Sequence, residues 1–149
     1  MRFGRRLGID FGHVRVGIAL CDDDGLVCTP LTTLKNDGTL FSKLSEIISE
    51  YEPVKVYVGK PKQLSGVEGT TAESVSNFVQ RFEESFGISV KLIDERLTSK
   101  GAEQKLRSAG KSAKESRGLI DQLAAIAILE LGVEMDSIVT GKQIGRAHV

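Results

Sequence analysis

The chain has 149 residues, 40% of them hydrophobic, and its 20 basic residues balance its 20 acidic residues. This length suits one domain with one substantial core and is short for two ordinary domains. The balanced charge excludes a general attraction to polyanions, and no run of about 20 apolar residues exists to span a membrane. The N-terminus lacks the apolar segment of a signal peptide, so we expect a cytoplasmic protein with no membrane partner.

Three short apolar segments open the chain and predict three antiparallel strands, at residues 7–9, 14–20 and 26–28. Asp24-Gly25 is typical of a hairpin turn, because glycine tolerates positive φ. We therefore assign the acidic residues 22–24 to a turn and not to a metal site. Cys21 and Cys28 have no companion at metal-ligand spacing and are predicted to be small strand residues.

Helices and strands then alternate. A helix ending near Pro53 is predicted by apolar residues on one face: Leu40, Leu44, Ile47, Ile48 and Tyr51. A β-branched strand follows at residues 54–58, and a glycine-bearing loop at residues 59–69. The stripe of a second amphipathic helix is predicted to lie in the core and not to stack on bases: Val75, Phe78, Val79, Phe82 and Phe86.

The last third begins with a strand at residues 88–93, which delivers residues 94–96 before Thr98 or Ser99 caps a polar helix. A flexible basic segment, residues 108–117, leads into a buried final helix. Its apolar residues recur at helical spacing: Ile120, Leu123, Ala124, Ala127, Ile128 and Leu131. The order β-β-β-α-β-α-β-α-α predicts an α/β fold, a mixed sheet with flanking helices, over residues 1–136. Residues 137–149 are predicted to form a flexible tail.

Three carboxylates stand apart because each borders or interrupts an apolar segment: Asp10, Glu95 and Asp121. Burying a carboxylate costs several kcal/mol unless a cation or hydrogen bonds compensate it. Taken singly, Asp10 could cap a turn, and Asp121 could complement the dipole of a helix's first turn. As a triplet they could surround one or two Mg²⁺ or Mn²⁺ ions and support cleavage of phosphodiesters.

Basic residues near these acids are candidate phosphate contacts, although each could equally be a surface charge: Arg15, Lys60, Lys62 and Arg96. A basic flank beside the final helix also suits a phosphate-bearing partner. It comprises Lys100, Lys105, Arg107, Lys111, Lys114 and Arg117. The only histidines are His13 and His148, which leaves poor material for a zinc site or a Ser-His-Asp arrangement. His13 is interpreted as a turn or surface residue.

Four segments resemble one family in the same order. They are LGIDFGHVRVGIA at residues 7–19, VGKP at residues 58–61 with Gly66 and Gly69, DERLTS at residues 94–99, and IDQLAA at residues 120–125. Together they resemble the YqgF family, also called RuvX or Holliday junction resolvase-like proteins. The resemblance runs from about residue 5 to about residue 132. Lys60 departs from the family, which often has leucine at that position.

This resemblance implies a ribonuclease H-like fold and a nuclease that matures the 5′ end of the 16S ribosomal RNA precursor. The family's acidic positions fall on Asp10, Glu95 and Asp121, with Asp94 as the fallback if the strand end is offset by one. The implied partners are nucleic acid, with pre-rRNA favoured over branched DNA, and the ribosome precursor. The protein is expected to be a monomer or a homodimer, since resolution of a junction requires paired active sites.

Three alternatives stay open at this stage. The first is a Holliday junction resolvase acting on branched DNA. The second is a non-catalytic nucleic-acid or ribosome-assembly module that keeps the fold. The third is a phosphotransfer domain, because the first motif also resembles the phosphate loop of actin-like sugar kinases; those enzymes need two such domains, and this chain is long enough for one.

Overall fold

The computed structural model describes residues 3–60, 72–94 and 113–148, with side chains in the last segment described for residues 119–137. The elements in chain order are β1 (Arg6–Phe11), β2 (Arg15–Cys21), β3 (Cys28–Lys35), α1 (Leu40–Tyr51), β4 (Lys55–Lys60), α2 (Ala72–Phe86), β5 (Val90–Asp94) and α3 (Ala113–His148). The predicted polar helix after residue 97 lies outside the described residues. Within the described segments, no helix combines the length and hydropathy that crossing a membrane requires.

The five strands form one mixed sheet in the order β3-β2-β1-β4-β5. β1, β4 and β5 run parallel, whereas β2 runs antiparallel to both β1 and β3. The carboxyl ends of the three parallel strands therefore meet the start of β2 and the end of β3 at one edge, which we call the carboxyl edge. The predicted mixed sheet with flanking helices is confirmed.

The turn between β2 and β3 confirms the assignment of the acidic residues but corrects the position of the third strand. Gly25 has φ +72°, and the Asp22 carboxylate accepts hydrogen bonds from the backbone N–H groups of Leu26 and Val27. These hydrogen bonds lower the pKa of Asp22. Leu26 and Val27 therefore belong to the turn and are exposed, and the strand predicted at residues 26–28 begins only at Cys28.

The sheet separates two apolar layers. Val16, Ile18, Val56 and Val58 point to one face and pack with α1 and α2; we call this the helix-pair face. The predicted stripe of the second helix lies in this layer, with Val75, Phe78 and Phe82 buried and Val79 and Phe86 partly buried. The alternate strand residues, such as Ala19, Tyr57 and Ile93, point to the other face and pack with α3. A side chain's place in the strand alternation thus decides which helices it meets.

Helix α3 begins earlier than its apolar period indicates. Its backbone is helical from Ala113, so the end of the predicted flexible basic segment is the helix's first turn. Asp121 consequently lies in the third turn, which excludes the explanation that it complements the dipole of a first turn. The helical backbone continues to His148. That residues 137–149 form a flexible tail stays a prediction.

Asp136 anchors α3 to the opposite edge of the sheet. Its carboxylate accepts hydrogen bonds from Arg6 Nη1 (2.9 Å) and the Tyr57 hydroxyl (2.5 Å). It also accepts from Lys55 Nζ (2.8 Å) and Lys91 Nζ (3.2 Å). Arg6, Lys55 and Lys91 stand at or next to the starts of the three parallel strands, so this cluster lies at the opposite edge from the carboxyl edge. Asp136 follows Asp121 by about 22 Å of helix, and the anchor fixes the helix along its length.

We expect Asp136→Asn to lower the free energy of unfolding by about 2 kcal/mol at pH 7. Burial opposes the ionisation of Asp136, but hydrogen bonds from Lys55, Tyr57 and Lys91 outweigh it and lower its pKa to about 2, from 3.8. A carboxyl group with a lowered pKa in the folded state stabilises the protein above its unfolded pKa. The difference between wild type and variant should therefore shrink as the pH falls from about 4 towards 2. Urea denaturation across this range measures it.

Asp23→Asn is the matched control for this prediction. Asp23 forms an exposed ion pair with Arg5 at 3.7 Å, and pairs of this kind contribute at most about 1 kcal/mol. The control should change stability little at any pH. A loss of stability in Asp136→Asn that is equal at pH 7 and pH 3 would contradict the electrostatic explanation.

Candidate active site

Asp10 lies at the carboxyl edge on the α3 face of the sheet. Its neighbours Ile9 and Phe11 point to the helix-pair face, so the alternation of β1 directs Asp10 to the opposite side. Asp10 pairs with Gly17 of β2 in the antiparallel register. Because paired residues project to the same face, the space above Gly17 adjoins the Asp10 side chain.

Asp121 of α3 occupies the space above Gly17. A Cβ atom built on Gly17 would lie 2.1 Å from the Asp121 carbonyl oxygen and 3.0 Å from the Asp121 Cβ. A side chain of any size at position 17 is therefore incompatible with this approach of helix and strand. The next residue, Gln122, donates from Nε2 to Thr33 Oγ1 on β3 at 3.0 Å and holds the same turn of α3 in place. Asp10 and Asp121 thus converge on one face at the carboxyl edge.

Arg15 neutralises the half-buried Asp121 carboxylate. Its Nε donates to Asp121 Oδ2 at 2.6 Å, and the two side chains are 37% and 15% exposed. A carboxylate buried to this extent requires a cation or hydrogen bonds beside it, and the Arg15 guanidinium meets that requirement. Because Arg15 remains more than one-third exposed, it borders solvent and can reach an incoming anion.

The donor chemistry of this site fits a hard divalent cation. Carboxylate oxygens are the ligands that Mg²⁺ prefers, and Mn²⁺ also suits such sites. Among the residues described, no three metal-ligating side chains come together. The third predicted ligand, Glu95, lies outside the described residues, as do Lys62 and Arg96.

A family model described as "RuvX: Holliday junction resolvase" matches residues 4–134. The chain belongs to the RuvX family. This identification confirms the resemblance carried by the four sequence motifs, and it places the chain in a family of nucleases, which hydrolyse phosphodiesters.

Proteins similar in sequence to this RuvX chain support the same assignment. A Streptomyces coelicolor protein named "Putative pre-16S rRNA nuclease" is 40% identical over 141 residues, covering 93% of this chain and 84% of its own length. Proteins of the same name from Streptomyces avermitilis and Cutibacterium acnes are 40% and 41% identical. They cover 97% and 85% of this chain and 94% and 80% of their own lengths.

Solved structures confirm the fold predicted for this RuvX chain. The structure of Thermus thermophilus RuvC with a Holliday junction substrate aligns with a TM-score of 0.60 at 17% identity, covering 90% of this chain and 96% of that one. Thermus thermophilus RuvC alone aligns with a TM-score of 0.56 at 19% identity, covering 89% of this chain and 96% of RuvC. RuvC has a ribonuclease H-like fold, so the predicted fold class is confirmed.

Two other candidates lie at the carboxyl edge but on the opposite face. Lys60 follows Val56 and Val58 in the alternation of β4, which directs its exposed side chain to the helix-pair face. Asp94 alternates with Ile93, which packs against α3, so Asp94 also belongs to the helix-pair face. The alternation therefore does not favour the fallback position Asp94 as a partner for Asp10, and Lys60 is separated from the carboxylates by the sheet.

Sequence reasoning assigned no role to Gly17 or Asn36. A glycine inside a β-branched strand is a signal of close backbone approach, so the role of Gly17 could have been inferred. Asn36 donates from Nδ2 to the Gly12 carbonyl at 2.7 Å, and its backbone N–H donates to the Val14 carbonyl at 2.9 Å. It thereby fixes the exposed turn between Asp10 and Arg15, in which His13 also lies.

Proposed function

We propose that this protein is a metal-dependent nuclease that cleaves structured RNA and processes the 5′ end of the 16S ribosomal RNA precursor. The observation that carries the proposal is the convergence of Asp10 and Asp121 above Gly17, beside the Arg15 guanidinium. The family and the names of the relatives support the substrate class. The cytoplasm and a ribosome precursor are the expected location and partner.

In this proposal Asp10, Asp121 and Glu95 hold Mg²⁺ or Mn²⁺. When bound, such a metal activates a water molecule and stabilises charge on the phosphate oxygens during displacement. The water oxygen forms the new bond to phosphorus as the water gives up a proton to solvent. The bond from phosphorus to the leaving ribose oxygen breaks, and that oxygen receives a proton. Asp10 and Asp121 would position the metal by presenting their carboxylates on the same face of the carboxyl edge.

Arg15 is proposed to contact the substrate phosphate. Its guanidinium forms an ion pair with Asp121 in the structure, and a planar guanidinium matches two phosphate oxygens. With a divalent cation held by Asp121, the carboxylate would no longer need the guanidinium, and Arg15 would be free to pair with the scissile phosphate. The residues predicted to assist it, Lys62 and Arg96, stay predictions, and Lys60 is proposed to contact the strand where it passes to the helix-pair face.

Cleavage of two labelled substrates by the purified protein tests the proposed function. A precursor RNA spanning the 5′ end of 16S rRNA and a four-way DNA junction are incubated with Mg²⁺, Mn²⁺ or EDTA. We expect metal-dependent cleavage of the RNA and none in EDTA. Cleavage of the junction alone would replace RNA processing by junction resolution, for which a dimer in solution is required. If folded protein binds the RNA without cutting it under any of these conditions, the protein is a binding module.

A further inference from the structure

A pocket of about 260 Å³ opens at the carboxyl edge on the helix-pair face. Phe11 contributes to its lining, and Phe11 follows Asp10 directly, about 3.8 Å along the backbone. Asn36, which holds the turn between Asp10 and Arg15, lies at its rim. The pocket and the proposed active site therefore lie on the two faces of one strand end. A nucleic-acid strand that crosses this edge passes from one to the other within a short length of backbone.

Aromatic rings form the floor of the pocket. The ring of Phe11 stacks on that of Phe78 with centroids 4.3 Å apart and an interplanar angle of 20°. Phe41 lies against Phe78 at 5.6 Å, and the Arg81 guanidinium lies over the Phe41 ring at 4.0 Å. Phe78 is only 5% exposed and belongs to the core, as predicted, whereas Phe11 and Phe41 are half-buried. The floor therefore offers flat apolar surfaces next to a planar guanidinium.

The rim carries hydrogen-bonding groups. Asn77 and Arg81 are exposed on α2, and both line the pocket. Asp37 contributes an acceptor, and hydrogen bonds from Thr39 lower the pKa of its carboxyl group. The charges of Asp37 and Arg81 cancel, which favours a neutral ligand over a phosphate.

Size and chemistry together select the ligand. Pockets for drug-sized molecules span roughly 300–1,000 Å³, so a pocket of about 260 Å³ is smaller than these. A flat, neutral group with hydrogen-bonding edges fits aromatic and guanidinium surfaces below amide and carboxylate groups. Proteins recognise unpaired nucleobases by this combination of stacking and edge hydrogen bonds.

We propose that this pocket binds one unpaired nucleobase of the substrate strand, next to the scissile phosphate. This inference rests on the proposed function and deepens it. The base stacks against the Phe11 and Arg81 surfaces, and its edge receives hydrogen bonds from Asn77. Binding would fix the register of the strand at the carboxylates and would favour cleavage beside single-stranded nucleotides over cleavage within a duplex.

Abasic substitution combined with mutation tests this pocket without catalysis. The ligand is a fluorescein-labelled hairpin RNA with a single-stranded 5′ flank, in which each flank nucleotide in turn is made abasic. Binding is measured by anisotropy in EDTA, which prevents metal-dependent cleavage. We expect one abasic position to weaken wild-type binding about tenfold. Asn77→Ala and Arg81→Ala should each weaken binding of the intact RNA severalfold and add no loss on that one abasic RNA.

Two control variants separate the pocket from general effects. Ser76→Ala changes an exposed residue of α2 outside the pocket lining, and Lys43→Ala removes an exposed cation of α1. Both should leave the effect of the abasic position unchanged. Additive losses for Asn77→Ala and every abasic position would overturn the pocket while leaving the nuclease proposal intact. Absence of any RNA binding by wild-type protein in EDTA would overturn the pocket, and the cleavage assay with Mg²⁺ or Mn²⁺ would decide the nuclease proposal separately.

Discussion

Asp121→Asn is expected to abolish metal-dependent cleavage, with a loss of roughly 10³-fold or more in the single-turnover rate. Asparagine keeps the shape of the side chain but removes the negative charge that a divalent cation requires. Asp121 is 15% exposed at the point where α3 meets Gly17, so water replaces its carboxylate poorly. Asp10→Asn should cause a comparable loss. Titration calorimetry with Mn²⁺ is expected to show weakened binding in both variants.

Loss of the ion pair with Arg15 must be separated from loss of the metal ligand. Arg15→Met breaks the same 2.6 Å pair but leaves the carboxylate in place. We expect Arg15→Met to bind Mn²⁺ at least as tightly as wild type, because the guanidinium no longer competes with the metal for Asp121. The same variant should bind RNA more weakly. Glu130→Gln changes an exposed acid on α3 and should leave activity unaltered. Wild-type Mn²⁺ affinity in Asp121→Asn would exclude Asp121 as a ligand.

Much of the fold follows from local patterns in the chain. The spacing of Leu40, Leu44 and Ile48 predicts α1, and Asp24-Gly25 predicts the turn at which Gly25 adopts positive φ. These features are predictable because a helix face or a tight turn depends on residues within a few positions of one another. The alternation of the chain likewise placed Asp10 at a strand end.

Boundaries and faces were harder to predict. Leu26 and Val27 look like strand residues, but the Asp22 side chain holds their backbone N–H groups in the turn. Lys60 was predicted in the loop after the fourth strand, near the carboxylates, but it is the last residue of β4. Successive residues of β4 point to opposite faces of the sheet. Which of the two faces packs against α3 depends on contacts between segments distant in sequence. The residues at the start of α3, from Ala113, show no helical spacing of apolar residues, so this boundary could not be predicted from the pattern.

The convergence of Asp10 and Asp121 also depends partly on local sequence and partly on long-range packing. Each residue could be selected from its apolar neighbours, but their proximity depends on a glycine in a third segment. Gly8 and Gly132 likewise allow α3 to approach the sheet closely. A Cβ on Gly8 would lie 2.4 Å from the Ala125 carbonyl oxygen, and one on Gly132 would lie 2.4 Å from the Tyr57 ring. Close packing of α3 on the sheet is therefore what turns two separated carboxylates into one site.

Gly17→Ala is accordingly expected to slow the single-turnover cleavage rate of folded protein by about 10²-fold or more. It should also lower the free energy of unfolding by about 2–3 kcal/mol. The added methyl would meet the Asp121 backbone, with its carbonyl carbon at 2.4 Å, and backbone cannot rotate away as a flexible side chain can. The turn of α3 that carries Asp121 must shift, which separates its carboxylate from Asp10. Urea denaturation and single-turnover cleavage, corrected for the folded fraction, measure the two effects.

Two other glycine variants decide whether this loss of activity is local. Gly38→Ala meets nothing within 4 Å and should change neither quantity. Gly132→Ala overpacks α3 against Tyr57, about three helical turns beyond Asp121, so it should destabilise the protein while folded molecules keep most of their activity. Equal activity losses in Gly17→Ala and Gly132→Ala would mean that α3 responds as a rigid body. Full activity in folded Gly17→Ala would show that Asp121 need not approach β2 this closely, and would remove the geometric basis of the proposed metal site.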